Sequence, residues 1–350
     1  MLKGENNMNP NKTARIILVL ITGLSIMVSS WCAADTVTLK LSSFVPAPHF
    51  MNREVLTPWV EMLEKRTNGK VQIDFYPGGT LGKPQDQYDM AVKGIADVTW
   101  GILGYTPGRF PLSTVMDIPF MSPNAEVGSR MIQRLYDEGY LKEEYEDVKL
   151  LALGMPVGVD LHVRERLVKQ LEDMRGLRVR VWSPIMGEVF KTWNAIPVSM
   201  PATEVYVSME RGVIDAVVMD PTTLLATNLN EVVEYHTRAG MFSSAFFFVM
   251  NKKEWEKLSP DTQRVIDEIS GEYFTVELNG KRADVAAAEA WKHIEADGHT
   301  VYMLDEEEKA RWEESSRYVV RKWIQDMEKK GLPGEEVYNE ALRLKKAFTR

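Results

Sequence analysis

Cysteine is nearly absent: among 350 residues only Cys32 carries a thiol. No disulfide can form within the chain, which excludes the stapled scaffolds of small secreted proteins. A P-loop, a GxGxxG opening a helix and a GxSxG elbow are also missing, so nucleotide binding and the common serine-hydrolase layout lack a motif. His49, His162, His236, His293 and His299 show no metal-ligand spacing. The methionines are scattered like core fillers rather than gathered as soft-metal ligands. No basic stripe is visible, and 42 Lys and Arg stand against 50 Asp and Glu, a formal charge of −8. That balance argues against nucleic acid as a partner. No cofactor and no metal are expected.

Long apolar runs are scarce as well. The one at Ile16–Val28, "IILVLITGLSIMV", is thirteen residues long, short of the ~20 that span a bilayer. Lys12 and Arg15 precede it and small residues follow through Ala33-Ala34, the layout of a secretory signal. Residues 1–34 are therefore expected to be a signal peptide cut near Ala34, with a periplasmic mature protein beginning at Asp35. Cys32 leaves with it, and the mature charge becomes −10 because Lys3, Glu5, Lys12 and Arg15 are lost. Lipid anchoring at Cys32 is not expected, since "VSSWC" lacks the Leu and small residues of a lipobox.

What remains is ordinary in composition, 45% hydrophobic and 26% charged, enough for a large core in two domains. Strand and helix patterns alternate. "VTLKLS" (Val37–Ser42) alternates in hydropathy, residues 52–67 carry apolar residues at helical spacing, and Asn68-Gly69 turns into "KVQIDFY". A helix over about 83–93 leads to "ADVTWG". This β-α-β-α-β order, the grammar of a parallel sheet covered by helices, restarts near "KLLALG" and runs through "LRVRV", "IPVSM" and "DAVVM". From Pro260 to about Ala296 a single long helix is expected, interrupted only by Gly271 and Gly280, lying across both units as a brace. The fold class is α/β, two lobes of the periplasmic-binding-protein type joined by crossing strands. The expected boundaries are 35–157 with about 245–285 for one domain. The other comprises 158–244 with about 286–350, including the C-terminal helices.

One stretch, "GLRVRVWSP" (Gly176–Pro184), sets Arg178 and Arg180 on one face of a strand and Val179 and Val181 on the other. Either this is an edge strand with a wet face, or Arg180 meets an anion.

Four segments resolve the choice by likeness. "RTNGKVQIDFYPGGTLG" (Arg66–Gly82), "DMRGLRVRV" (Asp173–Val181), "PATEVYVSMERGVIDA" (Pro201–Ala216) and "MNKKEWEKLSPDTQRVI" (Met250–Ile266) together resemble the DctP family, the substrate-binding proteins of TRAP transporters. The resemblance covers nearly the whole mature chain. It implies a monomeric receptor, not an enzyme, that closes around a small organic acid. The cargo then passes to a permease with small and large membrane subunits. It also implies that Arg180 forms the salt bridge with the substrate carboxylate; a guanidinium presents a fork that matches both oxygens. Arg178 is the exposed one.

Aligned on Arg180, the chain departs from the family. Asp160 stands where sialic-acid-binding relatives carry a second arginine. Met219 replaces a common asparagine, Ala202 an aromatic residue and Ile102 an acidic one. Such a pocket suits an aromatic or hydrophobic monocarboxylate better than a sugar acid. Asp160 is expected either to meet a ligand donor or to hold Arg180, because an unpaired buried carboxylate is costly. Trp100 and Trp182, which follow strands at the cleft mouth, are candidate stacking surfaces. Tyr105 and Phe110 in "GYTPGRFP" and His49 in "PAPHFMN" follow strand ends, where α/β proteins bind ligands. Glu204 and Asp215 read as cap and turn residues. The rival readings are a binder of C4-dicarboxylates or sugar acids, a sensor domain docking on a membrane kinase, and an exported hydrolase whose triad is assembled only in space.

Overall fold

The computed structural model describes Met1 and residues 36–349; the expected signal peptide, Cys32 and the cleavage point near Ala34 lie outside the described residues. From Thr38 onward the chain is one body, built on two sheets. The first has the order β2-β1-β3-β10-β4, the second β11-β9-β5-β8-β6-β7. In chain order these are β1 (Val37–Ser43), β2 (Val71–Tyr76), β3 (Val98–Ile102), β4 (Val148–Gly154), β5 (Val159–Val163) and β6 (Arg178–Val181). β7 (Ile196–Ser199), β8 (Ala216–Met219), β9 (Tyr235–Phe242), β10 (Phe246–Asn251) and β11 (Thr300–Met303) follow.

β10, "FFFVMN", is buried at every position because it lies between β3 and β4 with helices on both faces, so it reads as a continuous apolar run. It pairs antiparallel with both neighbours, whereas β1 and β3 are parallel. In the second sheet β6 runs parallel to β7 and β8, and β5 antiparallel to β8 and β9. β6 is thus an interior strand rather than an edge.

The chain crosses from the first sheet to the second between β4 and β5 and returns between β9 and β10. The two crossings touch near Gly158, where a Cβ would lie 3.3 Å from the Gly240 Cα. Gly240 itself has φ +56°, a left-handed backbone that glycine adopts without strain.

The long brace breaks at Gly271, one of the two interruptions expected from the sequence. A helix over Pro260–Ile269 stops where Ser270 becomes extended and Gly271 turns left-handed at φ 52°. The chain then winds as a π-helix over Tyr273–Gly280 and as an α-helix over Lys281–Ala296. Gly280 does not interrupt the helix. A Cβ there would lie 2.7 Å from the Glu126 Cα, so the residue serves close helix packing. Asp284 secures that contact by accepting from the amides of Ala125 (2.9 Å) and Glu126 (3.2 Å), at the start of the Ala125–Asp137 helix. Further on, Trp291 stacks on His162 of β5 with ring centroids 5.8 Å apart. The segment therefore reaches both sheets despite the break.

A second departure concerns the C-terminus. The Glu306–Lys329 helix starts on the second sheet, where Trp312 meets Trp193 at 4.7 Å. The terminal helix, Gly334–Phe348, instead buries Val337, Ala341 and Leu344 with Leu135 and Phe247 in the core of the first. Its apolar stripe finds its partner there and not on the second sheet. Among the described residues no helix is long and apolar enough to cross a membrane.

Candidate functional site

Arg178 and Arg180 share a strand face but meet different surroundings along it. Arg178 remains partly exposed and pairs with Asp215, its Nε donating to Oδ2 over 2.8 Å and its amide to the same oxygen over 2.9 Å. Arg180 points inward and is 3% exposed. Its Nε donates to the Met200 carbonyl (3.0 Å), one terminal nitrogen donates to the Tyr105 hydroxyl (3.1 Å), and its guanidinium lies 5.0 Å from the Trp182 ring. Among the described residues no carboxylate pairs with it. A buried guanidinium without a counter-ion is expensive, and that expense falls when an anion enters.

Local sequence sets this corner. After β6, Trp182 packs against the chain at Gly104, where a Cβ would come within 2.7 Å of its ring. Ser183 caps the Pro184–Thr192 helix by accepting from the Met186 amide, and Pro184 occupies the first helical turn, the positions both residues favour.

Tyr105 completes the corner. Its oxygen accepts from Arg180 and from the Ala202 amide (3.2 Å). A hydroxyl has two acceptor sites and one proton, so both acceptor sites are filled and the O–H remains as a donor.

These groups open on a cavity of about 100 Å³ between the two sheets, the scale of an apolar cavity that takes up a benzene ring. Trp100, Trp182, Ile102, Met219, Ala202, Tyr105, His49 and Arg180 all line it. Phe110 does not; it packs against Tyr88 and Tyr145 in the core.

Asp160 is the correction. It is absent from the cavity wall, and no hydrogen bond or ion pair joins it to Arg180. Its Oδ1 accepts from the amides of Ala239 (2.7 Å) and Gly240 (2.8 Å). The β5–β9 register shifts between Val159 and Leu161, and the resulting irregularity aims two successive amides at one carboxylate oxygen. Burial nevertheless pushes its pKa up to about 6.

Several lining residues carried no readable signal. Phe44 stacks on Trp100 at 5.0 Å and 15°, and Asp220 and Thr223 enter from the short helix after β8. His49 accepts from the Met51 amide at Nδ1 (3.1 Å), so its proton is on Nε2, which donates to the Thr223 hydroxyl (2.8 Å). Burial lowers the His49 pKa, and the nearby Asp220 charge opposes that. The bond joins the loop after β1 to the helix after β8, a pairing that no local pattern announces. Among the described residues no group of His, Cys, Asp or Glu is arranged to hold a metal ion.

Residues 41–326 match the family described as bacterial extracellular solute-binding protein, family 7, DctP. A solved TRAP solute-binding protein from a marine metagenome, described as specific for aromatic acid ligands and bound to 3-hydroxybenzoate, is 28% identical. It superimposes with a TM-score of 0.87 over 90% of this chain and 99% of its own. One from Rhodoferax ferrireducens, with copurified benzoate, is 28% identical with a TM-score of 0.86 over 90% and 99%. The C4-dicarboxylate-binding periplasmic protein DctP of Rhodobacter capsulatus is 24% identical over 86% of this chain and 91% of its own. The two-sheet architecture, the cleft and a match spanning most of the chain lead to one conclusion: this protein belongs to the DctP family of TRAP solute-binding proteins.

Proposed function

We propose that the cavity captures an aromatic or hydrophobic monocarboxylate, with Arg180 paired to its carboxylate and the Tyr105 O–H donating beside it. The observation that carries this reading is the buried Arg180 guanidinium, which has two neutral protein acceptors and, among the described residues, no carboxylate partner. Phe44, Trp100, Trp182, Ile102 and Met219 supply apolar and aromatic wall for a ring, and aromatic contacts contribute beyond burial alone. The two solved relatives bound to benzoate and 3-hydroxybenzoate support the same ligand class. A C4-dicarboxylate, the cargo named for the Rhodobacter relative, would bring a second charge. Among the described residues Arg180 is the only Lys or Arg lining this cavity.

In this reading the protein is a binder and not an enzyme. It works as a periplasmic monomer after signal cleavage near Ala34 and hands its cargo to the small and large membrane subunits of a TRAP permease. Its lobes comprise 35–157 with about 245–285 and 158–244 with about 286–329, and the terminal helix goes with the first.

A thermal-shift screen tests the ligand class. A ligand at 100 times its Kd adds about 2.7 kcal/mol. Benzoates, phenylacetates or indole acids should give the largest shifts. Larger shifts with succinate, malate or a uronate, and none with aromatic acids, would overturn the assignment.

A further inference from the structure

Arg180 and Asp220 line the same cavity, and neither is ion-paired to the other or, among the described residues, to a third group. Arg180 stands opposite Val217 in the parallel β6–β8 register, and Asp220 lies further along, just past the end of β8. At the ~3.3 Å rise of a parallel strand, three residues separate their backbones by roughly 10 Å. That is on the scale of one substituted ring with a hydrogen bond at each end. Oδ1 of Asp220 is committed to its own helix cap, accepting from the Thr223 amide (2.9 Å) and the Thr222 hydroxyl (2.5 Å). Oδ2 has no donor among the described residues. The nearby imidazole N–H of His49 is already spent on Thr223. The cavity is thus lined by a cation, a carboxylate acceptor whose backbone lies three residues further along, and aromatic walls.

We propose that Asp220 selects, among the carboxylates Arg180 can anchor, aromatic acids that carry a hydrogen-bond donor on the ring, a phenolic hydroxyl above all. The proposal rests on the monocarboxylate reading given above. A bare ring pressed against Asp220 strips water from a carboxylate and returns nothing. A ring hydroxyl returns a charge-assisted hydrogen bond. Its methyl ether has nearly the same shape and no donor, and a site built to bond a hydroxyl rejects the analogue lacking it.

Calorimetry on the full chain, with 3- and 4-hydroxybenzoate, their methyl ethers and benzoate, reads this directly. The wild type should bind the better hydroxybenzoate about tenfold or more tightly than its methyl ether, the usual scale for a hydrogen bond to a charged group. Asp220→Asn retains a good helix cap and removes the charge, so that preference should shrink to about threefold or less while benzoate binding tightens. Asp220→Ser, another good cap, should behave alike, and melting curves of both variants report folding. An unchanged preference in the two variants, or equal affinity of the wild type for hydroxyl and ether, overturns the role of Asp220 alone. If the wild type binds none of these acids, the monocarboxylate reading falls and this inference with it.

Discussion

The guanidinium of Arg180 donates to the Tyr105 hydroxyl over 3.1 Å, a bond that joins the second sheet's lobe to the first. The same oxygen accepts from the Ala202 amide. Tyr105→Phe removes both acceptor sites and the remaining donor but keeps the ring. Carboxylate affinity should fall about tenfold, typical for one hydrogen bond to a charged partner, with little change in melting temperature. Undiminished affinity would show that the anion does not use Tyr105.

Arg180→Ala should abolish measurable carboxylate binding in a folded protein, because losing one partner of a desolvated charge pair costs several kcal/mol. Arg180→Lys should also bind poorly, since an ammonium cannot present the bidentate fork. Near-normal affinity of Arg180→Ala by calorimetry would remove it as the anchor.

His49 and Thr223 form a second tie between lobes. If ligand closes the lobes about the crossings near Gly158 and Ser244, small-angle scattering should report a smaller radius with saturating ligand. His49→Ala should weaken binding mainly through faster dissociation. An unchanged radius on binding would mean a rigid pocket.

Asp160 predicts a pH dependence of stability. Burial raises its folded pKa to about 6, above the unfolded value near 3.9. A raised acid is protonated in the fold while the unfolded chain is already ionised, so its burial penalty is absent at pH 3, grows from about pH 4 to 6 and is constant above. Asp160→Asn, which can still accept from both amides, should therefore gain stability over the wild type across that window, by up to about 3 kcal/mol. A constant difference from pH 4 to 7 would contradict the shift.

The histidines carry a prediction of opposite sign. His162 Nε2 faces the Met219 carbonyl (3.0 Å), which can only accept, so the proton is on Nε2. His162 Nδ1 then accepts from His236 Nδ1 (2.6 Å), whose Nε2 accepts from His299 Nδ1 (3.0 Å). Burial lowers the pKa of His236 and lowers that of His162 to about 4. Stability from this group is present above about pH 6.5 and is lost as pH falls toward 4. Nitrogen NMR at pH 6 should find His162 protonated at Nε2 and His236 at Nδ1. The reverse tautomers would break the chain.

Much of the site was legible locally. Alternation in "LRVRV" put Arg178 and Arg180 on one strand face, and the motif likeness separated their roles. His49, Tyr105 and Trp182 were readable because they follow strands, and a sheet's C-terminal ends face the cleft, whereas Trp100 lies within β3 itself. Asp160 could not be read this way. Its environment depends on a register irregularity in β9, a strand 79 residues away by hydrogen-bond separation, and register is a property of the pair and not of either strand. The same holds for Asp220 and Thr223, whose neighbours come from the other lobe, and for the terminal helix, whose amphipathic stripe is plain in sequence while its partner is not. Periodicity along the chain determined which residues face inward. Only the packing of distant segments decided what they meet there, because hydrogen bonds and close contacts form between elements whose separation in sequence carries no information about their separation in space.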